Sequence, residues 1–534
     1  MKIVSVERMR EIERLAIEAG VSSEQMMQRA GRKLVEAIKT HYSDLIPDRV
    51  VGLIGKGNNG GDTLIALDQL LLDGWQGVAV LLASRANDPL FKQFVADGGQ
   101  TILFGETGFE EKLKTGLKNA SVILDGLLGT GIKLPLKADA AEFLSIMKSA
   151  LGQQKIVAVD CPSGVDCDSG EVAPETLTAA LTVCMEAVKI GLVKEPAFSY
   201  CGEIETISLE LPDDLNTKRD EKLLIDKDWA VEHLPKRSAF SHKGSFGKVL
   251  IVGGSVNYFG APLLSGRAAY RMGSGLVTLA VPQQVALALA GATPEITWLV
   301  LDEEDGVIAE TAAELLLKKI GDYTCLAIGP GIGKEETTQR FLEKVLFKPK
   351  VNNHRNVGFL SETSPALQTS KLPPLVLDAD ALRWLAQQER WPERVNVDMI
   401  LTPHPGEMSV LTGLSTEELQ KDRIGNAAKF AQKWRQVVVL KGALTVIAAP
   451  DGKVGVIPVA TSALAKAGSG DVLTGIIASL IGQGMQPFNA ATLGAWIHAQ
   501  AGLDAAQKVG CEASVLASDI IASLPTVLSA LPPN

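Results

Sequence analysis

Over residues 1 to 40, apolar side chains recur at helical spacing: Val6, Met9, Ile12, Leu15 and Ala16, then Met26, Met27, Leu34 and Ile38. This spacing predicts amphipathic helices. From residue 50 the pattern changes to short apolar runs separated by helical stretches: VVGLIG, GVAVLLA, SVILDG, KIVAVDCPSG and ALTVCMEAVK. Apolar runs of this kind read as strands buried on both faces, and their alternation with helices predicts a parallel sheet covered on both sides. The pattern breaks over 210–245, where LPDDLNTKRDEK is polar and LPKRSAFSHKG is rich in turn and basic residues. A domain boundary is placed there. A second series follows: KVLIVGGS, GLVTLAVP, CLAIGPGIG, PLVLDADAL, MILTPHPGE and VVVLKGALTVIAAP. Helical segments at about 471 to 483 and 487 to 509 come after it. The polar, unpatterned stretch 348–374 reads as a surface insertion. The fold class is α/β with two domains.

Composition supports this division. A chain of 534 residues is too long for one ordinary core. Hydrophobic residues at 46% and charged residues at 21% are ordinary for a globular protein. The net charge of −10 argues against a nucleic-acid binder, although backbone N–H groups can hold a small anion without any basic side chain. The six cysteines, at 161, 167, 184, 201, 325 and 511, form no C-x-x-C and read as scattered reduced thiols. The N-terminus is charged throughout, unlike a signal peptide. The apolar run Val472–Ile481 is far short of a membrane span. A cytoplasmic protein without a membrane partner is expected.

The first series carries GKGNNGGD, residues 55 to 62, between a strand and a helix expected to start near Asp62. Glycines allow close backbone approach, and a helix start offers free N–H groups and a positive dipole end. A phosphate would fit. Gly55, Gly57 and Gly60 match the dinucleotide fingerprint G-x-G-x-x-G, but the next strand ends in Arg85 rather than the acid a dehydrogenase uses for ribose. Arg85 there could tolerate a 2′-phosphate. Asn58, Asn59 and Asp62 point instead to a polar, uncharged part of a ligand or to a metal ion. Two further strand ends carry Asp125 and Asp160, the latter followed by Ser163 and Gly164. One such Asp is more often a turn residue, but several converging on one pocket make a site with a general base and oxygen ligands for a hard cation.

In the second series, Gly468-Ser469-Gly470-Asp471 opens an apolar helix. Successive N–H groups there form an anion hole suited to a transferring phosphoryl group, and Asp471 can take the proton of an attacking hydroxyl. A helix-start role for Asp471 is the bland alternative. Lys441-Gly442-Ala443-Leu444-Thr445 follows a strand and suits nucleotide phosphates or ribose. His404 and Glu407 sit in a Pro-flanked loop, where His404 is either a ligand contact or structural. Asp378 and Asp380 mark another strand end, and Gly329, Gly331 and Gly333 a loop open to close approach. No P-loop motif is present.

Taken in order, MMQRAGRKLVEAI, NNGGD, LDGLLGTG and VDCPSGVD resemble the NAD(P)H-hydrate epimerase family, over residues 1–215. SHKGSFGKVLIVGGS, IGPGIG, LDADAL, LTPHPGEM, KGALT and the G-x-G-D resemble the ADP- or ATP-dependent NAD(P)H-hydrate dehydratases of the ribokinase-like superfamily, over 225–530. The chain has Thr461-Ser462-Ala463-Leu464-Ala465 where those relatives usually carry Asn-Pro-Gly-Met-Ala. Together the halves resemble the bifunctional bacterial NAD(P)H-hydrate repair family. The resemblance implies a Rossmann-like and a ribokinase-like three-layer sandwich. It implies NADH-hydrate and NADPH-hydrate as substrates, ADP or ATP as co-substrate, K⁺ and Mg²⁺, and a homo-oligomer. It puts the dinucleotide on Asn58, Asn59, Gly60, Gly61 and Asp62 and on Gly129, Thr130, Gly131, Ile132, Lys133, Leu134 and Pro135. Potassium would lie on Asn59, Asp125 and Ser163, with Asp160 as acid/base residue. In the second half, Ala261, Gly331, Gly333 and His404 would contact substrate. Lys441, Gly442, Ala443, Leu444 and Thr445, with Gly468, Ser469 and Gly470, would hold the nucleotide, and Asp471 would be the catalytic base. A ribokinase-type kinase fused to a dinucleotide-sensing domain, an NAD-dependent dehydrogenase and a non-enzymatic scaffold are the rival readings.

Overall fold

The apolar runs form strands of two sheets. The computed structural model describes residues 1–43, 48–212, 215, 222–347 and 372–531. It divides into two units, Met1–Leu224 and Ile225–Asn534. Most of the 348–374 stretch lies outside the described residues.

The sheet of the first unit contains β1 (Arg49–Ile54), β2 (Gln76–Leu81), β3 (Gln100–Leu103), β4 (Ala120–Gly126), β5 (Lys155–Val159), β6 (Leu181–Met185) and β7 (Glu203–Ile207). Their order is β3-β2-β1-β4-β5-β6-β7, and every pairing is parallel. The chain leaves β1 toward β2 and later returns to β4 on its other side. Such a reversal opens a crevice at the carboxyl ends of the strands, where ligands bind in open α/β sheets. The helix after β1 runs from Asn58 to Leu72, so Asn59 and Asp62 lie inside it and the expected start near Asp62 is corrected. Gly57 caps it by backbone alone, without a side-chain hydrogen bond. Helices Val6–Glu18 and Ser23–His41 precede the sheet, capped by Ser5 and Ser22. Ile3–Val4 pairs in parallel with Val188–Lys189.

The second unit carries β8 (Lys248–Val252), β9 (Leu276–Pro282), β10 (Thr297–Leu301), β11 (Cys325–Ile328), β12 (Leu375–Leu377), β13 (Met399–Leu401), β14 (Val437–Leu440), β15 (Val446–Ala448) and β16 (Val454–Val456). Their order is β16-β15-β14-β13-β12-β11-β8-β9-β10, with the reversal at β8 and β11. From β10 to β14 the pairings are parallel. β14, β15 and β16 are antiparallel, which the purely parallel expectation did not include. The physical reason is the short KGALT connection: a parallel crossover needs a dozen or more residues, on the order of one helix. Helices Ser469–Gly482 and Pro487–Val509 fall close to the expected positions. The first packs tightly on helix Gly260–Arg271: a Cβ on Gly475 would lie 2.0 Å from the Ser265 carbonyl oxygen.

Candidate active sites

In the first unit a cavity of about 1020 Å³ lies at the reversal of strand order. Asn58, Asn59 and Asp62 reach it from the start of helix Asn58–Leu72, residues 129–133 and Pro135 from the loop after β4, and Asp160 from the end of β5. Gly60 and Gly61 do not line it. A Cβ on Gly60 would meet the Gly55 carbonyl oxygen at 2.4 Å, and one on Gly61 would meet the Met27 sulfur at 2.7 Å. Gly60 lets the helix start close on the Gly55 backbone, and Gly61 lets helix Ser23–His41 pack against it. Arg85 buttresses the loop before that helix start: its Nη1 donates to the carbonyls of Gly55 (2.6 Å) and Gly57 (3.2 Å), and its Nε donates to Asp88 (2.7 Å). Its donors are occupied by protein, so it does not await a 2′-phosphate.

Behind the cavity wall, Asp125 and Ser163 are both fully buried. Ser163 donates to Asp125 from Oγ (2.6 Å) and from its backbone N–H (2.9 Å). Burial pushes the Asp125 carboxyl up, and the two Ser163 hydrogen bonds partly offset this. Asn59 Nδ2 donates to the Leu128 carbonyl (2.9 Å), which also lies 3.4 Å from Ser163 Oγ. Asn59 and Ser163 thus meet at one carbonyl, and Asp125 joins them through Ser163. Asn59 Nδ2 also donates to the Val159 carbonyl (2.8 Å), which leaves the amide oxygen with the Asp125 and Ser163 oxygens as an all-oxygen donor set. Among the described residues no cationic side chain pairs with Asp125, and a buried carboxyl lacking a cation fits a monovalent ion.

Asp160 adopts φ +65°, a left-handed conformation uncommon for a residue with a side chain. Its Oδ1 accepts from Met185 N (2.9 Å) and is in short contact with Lys189 Nζ. Lys189 is buried, at 1% exposure. Burial would lower its pKa, but the Asp160 carboxylate outweighs that and raises it. Sequence reasoning missed Lys189. Its signal was a lone cation inside the apolar run ALTVCMEAVKI, where a charge must find a partner. Glu13 was missed as well; it lines the same cavity from the N-terminal helix.

In the second unit, Gly468 caps helix Ser469–Gly482 in a left-handed conformation, φ +88°, and Asp471 lies in the first turn. Lys441, at the end of β14, reaches this helix start: a Cβ on Gly470 would sit 3.3 Å from Lys441 Nζ. Lys441 Nζ donates to Asp378 Oδ1 (2.7 Å), and Thr474 Oγ1 donates to Asp378 Oδ2 (2.7 Å). Burial pushes Asp378 up, but Lys441 and these hydrogen bonds hold it below the usual carboxylate range. Burial pushes Asp471 up to about 7, with Asp378 adding to the effect and Lys441 opposing it.

His404 caps helix Pro405–Thr412: its Nδ1 accepts from Gly406 N (3.0 Å), while Glu407 accepts from His404 N (2.9 Å). Nδ1 therefore has a structural task, and Nε2 lies 3.4 Å from Glu407. Burial lowers the His404 pKa, and Lys441 adds to this. Burial raises Glu407 to about 7. Glu407 lies 3.9 Å from Lys441, which joins the His404 loop to the phosphate end of the site. The turn 441–445 is braced by Arg423, whose Nη2 donates to the Leu440 carbonyl (2.9 Å), and by Thr445 Oγ1 donating to the Gly442 carbonyl (2.8 Å). Leu444 takes φ +54° in that turn. Ala261 and Gly331 meet, a Cβ on Gly331 lying 3.0 Å from that of Ala261. One turn further along the Ala261 helix, Ser265 Oγ donates to the Asp471 carbonyl (2.7 Å). Gly333 folds over Glu335 instead, with no contact to Lys441 or Asp471.

Residues 23–191 match the family described as YjeF-related protein N-terminus, and residues 249–351 and 361–526 match the one described as NAD(P)H-hydrate dehydratase. The chain is 37% identical over 540 residues to the bifunctional NAD(P)H-hydrate repair enzyme Nnr of Moorella thermoacetica, an alignment covering 99% of this chain and 97% of that one. It is 29% identical over 510 residues to the enzyme of the same description from Escherichia coli K12, covering 96% and 90%. A crystal structure of the ADP/ATP-dependent NAD(P)H-hydrate dehydratase from Bacillus subtilis, co-crystallized with ATP/Mg²⁺, is 30% identical, with a TM-score of 0.47 over 58% of this chain and 98% of that one.

Proposed function

The chain belongs to the family of bifunctional NAD(P)H-hydrate repair enzymes, and from that premise we propose that each unit carries one reaction, epimerisation in residues 1–215 and ADP-dependent dehydration in residues 225–530. The substrate is NADH or NADPH with water added across the nicotinamide 5,6 double bond, present as two epimers at C6. In the first unit the dinucleotide lies in the cavity between the 58–62 and 129–135 loops, with the nicotinamide end at Asp160. Asn59, Asp125 and Ser163 would hold a potassium ion, which would supply positive charge beside the loops that receive an anionic ligand.

In the second unit Asp471 takes the C6 hydroxyl proton of the S epimer, and the oxygen attacks the terminal phosphate of ADP. The free N–H groups at Gly468–Asp471 and the Lys441 ammonium receive the charge of the transferring group. Phosphorylation turns hydroxide into a good leaving group, so loss of phosphate restores the double bond and AMP departs. Mg²⁺ would accompany the nucleotide and supply charge to its phosphates, while Asp378 holds Lys441 and Thr474, one on each oxygen. One observation carries this reading: Lys441 stands at the glycine-flanked helix start beside a buried carboxyl poised at about 7. The unpaired cysteines, five of the six buried, support a reducing compartment, the cytoplasm. Among the described residues no helix is long and apolar enough to cross a membrane.

The test is an assay of mixed hydrate epimers with ADP and Mg²⁺, following absorbance at about 340 nm, AMP and free phosphate. Asp471→Asn should abolish dehydration by about 10²–10⁴-fold and leave epimerisation unchanged. Equal loss of both activities would sink the division between units. A stable phosphorylated hydrate in place of free phosphate would favour the kinase alternative.

A further inference from the structure

The N-terminal helix Val6–Glu18 is built into the wall of the first cavity. Val4 pairs with Lys189 in the short parallel ladder, and the Val6 N–H donates to Asp168 Oδ1 (2.8 Å) immediately after it. Val4, Met9, Ile12 and Ala187 form a buried cluster that fixes how the helix is turned. This pairing brings the helix to the Lys189 segment, and Glu13 lines the cavity together with Asp62, Asp160 and Lys189. Three carboxyl groups therefore face one ammonium, which is taken by Asp160. Among the described residues neither the Glu13 nor the Asp62 carboxyl has a hydrogen bond or ion pair.

We propose that Glu13 is the general acid of the epimerisation, working against Asp160 as the base. This rests on the assignment of epimerisation to this unit. The Glu13 carboxyl gives its proton to the C6 hydroxyl, the C6–O bond breaks with its electron pair leaving as water, and the N1 lone pair forms the N1=C6 iminium. Water then adds to C6 from the other face, gives its proton to Asp160, and returns the electron pair to N1. One turnover moves a proton from Glu13 to Asp160, and exchange with solvent returns Glu13 to its acid form and Asp160 to its carboxylate before the next, so that no reagent other than water takes part.

The electrostatic setting agrees. Burial pushes Glu13 up, Lys189 opposes this, Asp160 adds to it, and Arg10 on the same helix opposes it. Asp62 is pushed up much further by burial, with Asp160 and Glu13 adding and Lys189 opposing. A proton held that tightly is harder to give, and Asp62 is only 9% exposed, whereas Glu13 is half-buried at the cavity wall. A donor works best with a pKa near the working pH.

The experiment uses the full chain with purified R hydrate and no nucleotide, so that dehydration is silent. Conversion to the S epimer is followed by chromatography against pH, with the spontaneous rate subtracted. For the wild type, catalysed epimerisation should fall at high pH as Glu13 loses its proton. Glu13→Gln should lose about 10²–10⁴-fold in turnover and lose that high-pH fall. Glu13→Asp should keep the fall with a reduced rate, and Asp62→Asn should keep it too. Dehydration of the S hydrate with ADP should stay at the wild-type level in every variant, which reports the second unit, and an unchanged thermal transition of the first unit reports its folding. A Glu13→Gln enzyme that epimerises at the wild-type rate, or that slows while keeping the high-pH fall, overturns the proposal. A wild-type chain without catalysed epimerisation overturns the assignment of this unit, and the proposal with it.

Discussion

The dehydration rate should depend on pH in a way that an ordinary aspartate would not produce. Burial, aided by Asp378 and opposed by Lys441, carries the Asp471 carboxyl from 3.8 to about 7. A base must be ionised to accept the C6 hydroxyl proton. With a pKa of about 7, about one-tenth of the enzyme is competent near pH 6 and about nine-tenths near pH 8, so the rate should rise about tenfold between them. An aspartate at its ordinary value would be about 99% ionised at both and give a flat profile. The assay is turnover of the S hydrate at saturating Mg-ADP, read from absorbance recovery. Asp378→Asn sharpens the test. It removes a charge that raises Asp471 and leaves the Lys441 charge to Asp471 and Glu407, so both effects move the acid limb to lower pH. The variant leaves a buried ammonium without its partner, at a cost of about 3–5 kcal/mol, and must be assayed below its transition temperature. A flat wild-type profile between about pH 6 and 8, or an Asp378→Asn limb displaced upward, would refute the reasoning. The linkage has a matching sign: a carboxyl raised on folding contributes stability that is complete below about pH 3.8 and lost as pH rises through about 7. Without nucleotide, the thermal transition of this unit should therefore fall over that window, and Asp471→Asn should flatten the fall.

The potassium assignment predicts that K⁺ raises the melting temperature of the first unit above its value in Na⁺ at equal ionic strength, and that Asp125→Asn removes the difference. A K⁺ effect that survives Asp125→Asn would move the ion elsewhere. Gly31→Ala tests the packing of helix Ser23–His41 on helix Asn58–Leu72. The added Cβ would lie 2.4 Å from Ile65 Cγ2, so overpacking of about 1–3 kcal/mol should exceed the roughly 1 kcal/mol gained in helix propensity. A higher melting temperature would show that the helices part without penalty.

The two sheets were legible because strands buried on both faces are written as unbroken apolar runs, and both sites lie where those runs end. What escaped was set by backbone and by distance along the chain. The helix start at Asn58 is capped by Gly57 without a side chain, so no Ser, Thr or Asp announced it. The β14–β15 hairpin was hidden because VVVLKGALTVIAAP reads as one apolar run interrupted by a functional motif. Arg85 was weighed as a phosphate partner, since sequence shows that a cation follows the apolar run of β2 but not that the carbonyls of Gly55 and Gly57 already use it. Glu13 looked like one more charge on an amphipathic helix, and only the pairing of Val4 with Lys189 carries it to Asp160.

Both sites use the same electrostatic device with opposite assignments. Each sets one lysine on one aspartate and leaves a further carboxyl nearby without an ion pair: Lys189 on Asp160 beside Glu13 and Asp62, and Lys441 on Asp378 beside Asp471. In the first unit the paired aspartate is the base and an unpaired carboxyl supplies the proton. In the second the paired aspartate anchors the lysine, and the unpaired Asp471 does the chemistry. A base that shares its site with an unmatched, buried acid is limited when that acid loses its proton, at high pH. A base that is itself the unmatched, buried group is limited when it gains one, at low pH. The two reactions of one chain should therefore have opposite pH limbs, and repair as a whole should be fastest in the window where they overlap.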